Sequence, residues 1–578
     1  MKRRVPLSSR AGLALVAAVG AAGAGEAGLR ALGLPREEAA VPFLGPELAS
    51  EAFVPDEELF WKLKAGPGSE ANELGLRGWM PRGPKGPRDL RIACVGDSCT
   101  FGVGVRYEES WGVLLERALQ EALPGRRVES VLAGNPGYSS HQNRLLFERH
   151  VAPLAPDVTV LYVGGWNDYV AAVGRSDRER SARRRDRWRS LRLVRLFARE
   201  DAGDRDAVME AFRRDEAPHG RRVPLPDFDE NVRAMIAAAR GAGGIVLIVL
   251  PPLTEASLRT HPIAHEYRAA TRTIARDAGV PLLDAPARFR ELHAFAPPEL
   301  RELPKGEWPC LSDWVHPNEV GHRVIAEGLF ELLRRDHAVL FVDGATAPGA
   351  GIDAGGGADA RPAIEAVEPA ELPLFEAAGL VIRGSGFARP GAFDRLWLGE
   401  AWLRDFTVVD DGRIEARVER ALRPGDHLVE LITPAGLVRS AAPIRVRAPP
   451  LRATIGRADD QVVIEASCAA RPDWLVTLWF STALRPEPAA TRFGRFELAA
   501  DPDGRPPGLP AAPFFFHRLK LFAHRSFCGA DGAWRERIEL DVPDDVEAIC
   551  MQAWIVAPDR QGDAVLTEAV RLVVPRER

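Results

Sequence analysis

Five apolar runs, each stopped by a small polar turn or a proline and separated by helix-length patterns, constrain the fold of this chain more than any other feature. They cover residues 91–95, 128–132, 158–163, 244–250 and 280–283. Between and after them, helical spacing of apolar residues recurs at 109–123, 141–150, 228–242 and 263–278. Strands that are apolar on both faces cannot have one side in water, so they need helices on both sides. Alternating strand and helix therefore predicts an α/β domain: a doubly wound parallel sheet of flavodoxin-like order. In such sheets ligands bind at the carboxyl ends of the strands, so the turns that end the runs are where chemistry is sought.

The first run ends at Gly96-Asp97-Ser98-Cys99-Thr100. A serine at that edge is a helix cap unless a base reaches it, in which case it is a nucleophile. A base is offered far along the chain, at Asp313-Trp314-Val315-His316-Pro317-Asn318. Pro317 suits the first turn of a helix, and 319–333 reads as an amphipathic helix, so Asp313 and His316 belong to the loop that enters it. Three residues apart, the carboxylate can fix the imidazole's tautomer and leave its other nitrogen to accept a proton from a serine hydroxyl. Ser98, His316 and Asp313 thus form a split nucleophile, base and orienter.

With these blocks the chain resembles the SGNH (GDSL-like) hydrolase family. Two further blocks agree with the family's order: Ala133-Gly134-Asn135-Pro136-Gly137-Tyr138-Ser139-Ser140 and Gly164-Gly165-Trp166-Asn167-Asp168. The resemblance, over roughly residues 70–335, implies Ser98 as nucleophile, His316 as base and Asp313 as its orienter. It implies oxyanion donors at Gly137 (backbone N–H), Asn167 (side-chain amide) and the N–H of Ser98. The second glycine of a G-x-S-x-G elbow is missing from Gly96-Asp97-Ser98-Cys99-Thr100, which argues against an α/β-hydrolase nucleophile elbow. Cys99 is an alternative nucleophile with no independent support, and His141 and His322 read as structural.

The start of the chain is basic, with Lys2, Arg3, Arg4 and Arg10, and is followed by an apolar Ala/Gly-rich run over 11–25. That pattern reads as a signal peptide or N-terminal membrane anchor over 1–30, and predicts an extracytoplasmic protein, periplasmic or at the cell surface. Residues 31–69 read as a linker or extended segment, and 70–343 as the hydrolase domain. Within that domain an insertion at 171–226 carries ten arginines between Arg175 and Arg195. With acidic residues interspersed, it reads as a solvated cap over the mouth of the site. The chain as a whole carries a formal net charge of −5, and with no nucleic-acid motif present, that class of partner is excluded.

A chain of 578 residues calls for about three or four units. A Gly/Ala-rich linker at 344–360 precedes short alternating runs that resemble an IPT/TIG immunoglobulin-like domain over 361–448. Pro449-Pro450 marks a further boundary, and 451–578 reads as a second β-sandwich. There Phe514-Phe515-Phe516-His517 reads as a core or hairpin contact, with a binding groove as the alternative. Six cysteines do not make a disulfide scaffold, although Cys468, Cys528 and Cys550 could supply one bridge. The twelve histidines show no zinc spacing, so no metal or other cofactor is expected. The combined expectation is an exported serine esterase acting on short-chain, O-acetyl-type esters of a carbohydrate or glycolipid, with the β modules free to bind polysaccharide or protein. A lipase-like acyl hydrolase and an O-acyltransferase share the same residues, and a surface binding protein with a vestigial hydrolase domain is the rival of another class.

Overall fold

The computed structural model describes residues 20–32, 51–184, 210–295, 310–341 and most of 361–575 outside 499–523, apart from short gaps. Its first strands lie in the segment expected to be a linker. β1 (Phe53–Asp56) and β2 (Phe60–Leu63) form an antiparallel hairpin, with Phe53 opposite Leu63. Phe53, Leu59, Phe60 and Trp61 are buried in the core of the α/β domain. That domain therefore begins near residue 51 rather than 70. Its apolar side chains, not its secondary-structure pattern, hold the hairpin in place, because isolated two-stranded hairpins are marginal in water.

The five apolar runs form one parallel sheet. β3 (Leu90–Gly96), β4 (Val128–Gly134), β5 (Val158–Tyr162), β6 (Ile245–Leu250) and β7 (Leu282–Asp284) lie in the order β4-β3-β5-β6-β7. This is the flavodoxin-like order that the alternation predicts. β3, β4 and β5 are buried at every position, as strands covered on both faces must be. The covering helices include α1 (Trp111–Ala122), α2 (Ser140–Leu146), α3 (Leu225–Gly241), α4 (Ile263–Asp277) and α5 (Glu319–Asp336). α2 begins at a capping box in which Ser139 and Gln142 satisfy each other's backbone N–H. The carboxyl ends of β4, β3 and β5 are neighbours, with β3 central. Topology alone thus brings the turns after these three strands together.

Of the insertion, the described parts include a short helix at Asp177–Arg184 and an isolated antiparallel bridge between Ala171 and Arg221 that closes its two ends. Residues 185–209, which include the second half of the arginine run, lie outside the described residues, as do the 344–359 linker and the Phe514–His517 run. No described helix is long and apolar enough to cross a membrane.

The C-terminal half is built from antiparallel sheets. One unit pairs Phe406–Asp410, Arg413–Val418, Ala378–Ser385 and Ala363–Glu368 in one sheet, and Ala401–Leu403, Arg395–Leu398, Val429–Thr433 and Gly436–Arg439 in another. Alternation does what it predicts: along Arg413–Val418, Ile414, Ala416 and Val418 are buried while Glu415 and Arg417 are exposed. The unit beyond Pro449-Pro450 has sheets centred on Gln461–Ala469 and on Leu475–Ser481 with Ala548–Val556. One continuous apolar cluster runs from Ile364 to Leu572, so these two units share a core across the proline pair. All six cysteines are buried and none is in a disulfide, including Cys468, Cys528 and Cys550.

The first β unit is fastened to the α/β domain. Trp397 and Ile432 belong to the α/β core cluster. Arg395, buried, is ion-paired with Glu116 on α1 and donates to the Val128 carbonyl at 2.8 Å. Arg117 pairs with Glu430, Arg127 with Asp394, and Arg439 with Glu121. Gly436 (φ 108°) sits where an added Cβ would lie 2.0 Å from the Pro124 carbonyl oxygen, so only glycine allows this approach.

Candidate active site

The turn after β3 carries Ser98. Asp97 caps the one-turn helix Ser98–Phe101 by accepting the Cys99 N–H at 2.9 Å, and Gly102 ends it in the left-handed region. Ser98 is thereby the first residue of a helix, with its N–H among those that a helix start leaves without an intrahelical acceptor. The base arrives from the loop before α5. Asn318 caps that helix, accepting from the N–H groups of Val320 and Gly321 at 3.0 Å each. Pro317, expected inside the first turn, therefore precedes the cap, and the effect is the same: the loop is fixed just after His316.

His316 Nε2 lies 2.9 Å from Ser98 Oγ, across 218 residues of sequence. Its Nδ1 lies 2.7 Å from Asp313 Oδ2. The other Asp313 oxygen accepts the N–H groups of Val315 at 2.8 Å and His316 at 2.7 Å, so the carboxylate is held on both sides. Partial burial pushes the Asp313 carboxyl up, but the His316 hydrogen bond and the two backbone donors outweigh it and hold the group below its ordinary value. The anion is favoured, as an acceptor for an imidazole N–H must be. Ser98 is buried at 5% exposure, whereas the His316 side chain keeps 17%.

The other two sequence blocks arrive from either side. Gly137, three residues beyond the end of β4, has φ 81°, a conformation that suits glycine. Neither its N–H nor that of Ser98 is spent on a hydrogen bond among the described residues. Asn167, in the turn after β5, is buried and donates through Nδ2 to Asp97 Oδ2 at 3.0 Å. Burial pushes the Asp97 carboxyl up, against the pull of its bonds from Cys99 and Asn167. All five residues singled out in the sequence thus lie on the three adjoining strand ends or on the loop that closes over them.

Nearby titratable groups take structural parts. Cys99 is buried, donates to the Val315 carbonyl at 3.5 Å, and burial raises its thiol well above the ordinary value, which disfavours a thiolate nucleophile. His322 accepts the Trp111 N–H at 3.1 Å, and burial, aided by Arg77, pushes it down to about 3. His141 Nε2 meets Ser181 Oγ at 2.8 Å. No cluster able to hold a metal ion occurs among the described residues.

Sequence reasoning missed a second layer behind Gly137. Trp61 of β2 donates its indole N–H to the Pro136 carbonyl at 3.1 Å, and Arg222 donates to the Gly137 carbonyl at 2.8 Å. Arg222 is ion-paired with Asp177 at 2.7 Å, and both are buried. These contacts join residues 45 to 85 positions apart, and no local pattern marks them.

Residues 94–324 match the family described as GDSL-like Lipase/Acylhydrolase. A GDSL esterase/lipase of Arabidopsis thaliana is 23% identical over 203 residues, taking in 30% of this chain and 80% of the relative. Among solved structures, a member of the lipolytic G-D-S-L family from Veillonella parvula is 15% identical, covering 43% of this chain and 99% of its own, with a TM-score of 0.27. An acetylxylan esterase from Geobacillus stearothermophilus is 17% identical, covering 42% and 95%, with a TM-score of 0.28. The α/β portion of the chain is a GDSL-like (SGNH) lipase/acylhydrolase domain, a hydrolase of ester bonds.

Proposed function

We propose that this protein is an exported serine esterase that removes short acyl groups, of the O-acetyl type, from a carbohydrate or glycolipid. The observation that carries the reading is the unbroken hydrogen-bonded relay from Asp313 through His316 to Ser98, at 2.7 and 2.9 Å. In the first step Ser98 Oγ attacks the ester carbonyl carbon while its proton passes to His316 Nε2. The carbonyl oxygen becomes an oxyanion facing the N–H groups of Ser98 and Gly137 and the amide of Asn167. Collapse expels the alcohol, which takes the proton from His316, and leaves an acyl-serine. Water then repeats the sequence, releasing the carboxylic acid and restoring Ser98.

Export is supported by the basic start and apolar run at the amino terminus. An extended substrate is supported by the β units, one of which is fastened to the hydrolase domain through Arg395–Glu116 and its neighbours; a chain held by such a module would meet the site at a fixed distance. The test is hydrolysis of p-nitrophenyl esters from acetate to long chains by the full chain, beside Ser98→Ala and His316→Ala. Turnover that favours acetate and disappears in both variants is expected. Preference for long chains would move the reading to a lipase-like hydrolase, and activity that survives Ser98→Ala would end it. Recovery of the protein in the cytoplasmic fraction of its host would end the export half.

A further inference from the structure

We infer that Trp61 and Arg222 are positioning residues that fix the Gly137 N–H as an oxyanion donor. The inference rests on the proposed role of Gly137 and deepens it.

The N–H of Gly137 and the carbonyl of Pro136 are opposite ends of one rigid peptide plane. Whatever grips the carbonyl aims the N–H. Trp61 grips it, with Nε1 at 3.1 Å from Pro136 O. The next plane begins with the Gly137 carbonyl, and Arg222 Nη1 grips that one at 2.8 Å. The two planes meet at a glycine with φ 81°, the residue type with the least intrinsic resistance to rotation. A soft hinge at a place that must be stiff is thus clamped from both sides by buried donors.

The clamps are themselves fixed. Trp61 is fully buried, and Tyr138, the residue after the hinge, donates its hydroxyl back to the Trp61 carbonyl at 2.6 Å. Phe60, just before Trp61, is held at φ 69°, an unfavourable conformation for a bulky residue that persists only where its surroundings dictate it. The Arg222 guanidinium faces the Trp61 ring at 5.8 Å and is neutralised by Asp177. Burial pushes the Asp177 carboxyl up, but Arg222 and Arg180 more than offset this and keep it ionised. Asp177 and Arg222 lie near the two ends of the 171–226 insertion, so the insertion closes on the back of the oxyanion loop. A carbonyl that accepts a hydrogen bond also polarises its peptide, which strengthens the N–H at the other end.

The test uses the full chain with Trp61→Phe, which removes the donor and keeps the ring, and Arg222→Lys, which keeps the charge. Two rates are read: hydrolysis of p-nitrophenyl acetate, and covalent labelling by a fluorophosphonate. In labelling, Ser98 Oγ forms a bond to phosphorus, fluoride leaves, and the hydroxyl proton passes to His316. Losing an oxyanion donor outright costs about 10²–10³ in turnover, so misaiming one should cost about tenfold. A fall of that size in kcat and in labelling rate, with KM within about twofold, is expected for both variants. Either variant, folded as judged by an unchanged melting profile, that turns over and labels at the wild-type rate would overturn the inference. Wild-type protein that fails to label, or Ser98→Ala that still labels, would instead overturn the reading on which it rests.

Discussion

Asp97 accepts an amide hydrogen of Asn167 at 3.0 Å, which ties the turn carrying the serine to the turn after the neighbouring strand. The same carboxylate caps the helix that begins at Ser98, through the Cys99 N–H at 2.9 Å. One buried side chain therefore sets both the onset of the helix and the rotation of the Asn167 amide. An amide nitrogen has two hydrogens. With one held by Asp97, the plane of the group is fixed and the second hydrogen has one direction left.

If the two residues act as a unit, their losses will not multiply. Asn167→Ala should lower kcat on p-nitrophenyl acetate by about 10²–10³, the usual cost of an oxyanion donor. Asp97→Ala should give a loss of the same order by releasing Asn167, and the double variant should be little worse than either alone. The check is a double-mutant cycle on kcat. Losses that multiply would show that Asp97 does not work through Asn167.

Asp313 should matter through the tautomer of His316. It accepts from Nδ1 at 2.7 Å and from two backbone N–H groups. Asparagine at this position has one acceptor oxygen, and if that oxygen keeps the backbone bonds, an N–H donor faces Nδ1. The imidazole would then carry its proton on Nε2, where it cannot accept from Ser98. Asp313→Asn should therefore reduce kcat by about 10³–10⁴ with little change in melting temperature. A loss of less than tenfold would mean that the orientation of His316 is set elsewhere.

The parallel sheet was legible because strands such as 158–163 and 244–250 are almost wholly apolar and end at a turn or at prolines. Ser98, His316 and Asp313 were legible because the chemistry needs those residue types at a strand end and a helix entrance. The 51–64 hairpin was not. Pro55 and Asp56 in its first strand and Glu57-Glu58 in its turn mask the pattern, and Phe60 takes a backbone conformation that sequence does not suggest. Arg222 carries no local signal, since its partners Asp177 and Gly137 are 45 and 85 residues away. Pro449-Pro450 suggests a boundary in the sequence, but whether two units share a core depends on side chains far apart in the chain, from Leu380 to Leu572.

Asp168, beside Asn167, should make stability fall as pH rises. Burial raises its carboxyl from an ordinary 3.8 to about 7, against the pull of hydrogen bonds from Ser140. The folded state thus prefers the neutral acid. That contribution is fully present below the unfolded value and is lost as pH climbs through the folded one, so the loss falls between about 4 and about 7. Asp168→Asn keeps an oxygen for the Ser140 N–H, now 2.7 Å away, without the charge. Melting temperatures at pH 5 and pH 8 give the check, at about one unit above the lower bound and one above the upper. The variant should exceed the wild type at pH 8, and its advantage should shrink at pH 5. An advantage that does not change with pH would assign the effect to packing.

The first β unit packs against the hydrolase domain through Arg395, and that contact can be tested directly. Its side chain is 1% exposed and Glu116, its partner on α1, is 2% exposed. Glu116 also accepts from Ser130, through N–H at 2.8 Å and Oγ at 2.7 Å, so it is anchored to β4 and cannot turn to water. Arg395→Met would leave that carboxylate buried without its cation. Removing one partner of a buried pair typically costs about 3–5 kcal/mol. The loss should appear in calorimetry of the full chain as a lower melting transition of the hydrolase domain, although the substituted residue belongs to the β unit. Because Ser98 and His316 approach from the opposite, carboxyl end of the sheet, kcat measured well below the transition should stay within about twofold of wild type. A lowered transition confined to the β unit, with the hydrolase domain unmoved, would mean that the two are joined by the chain alone.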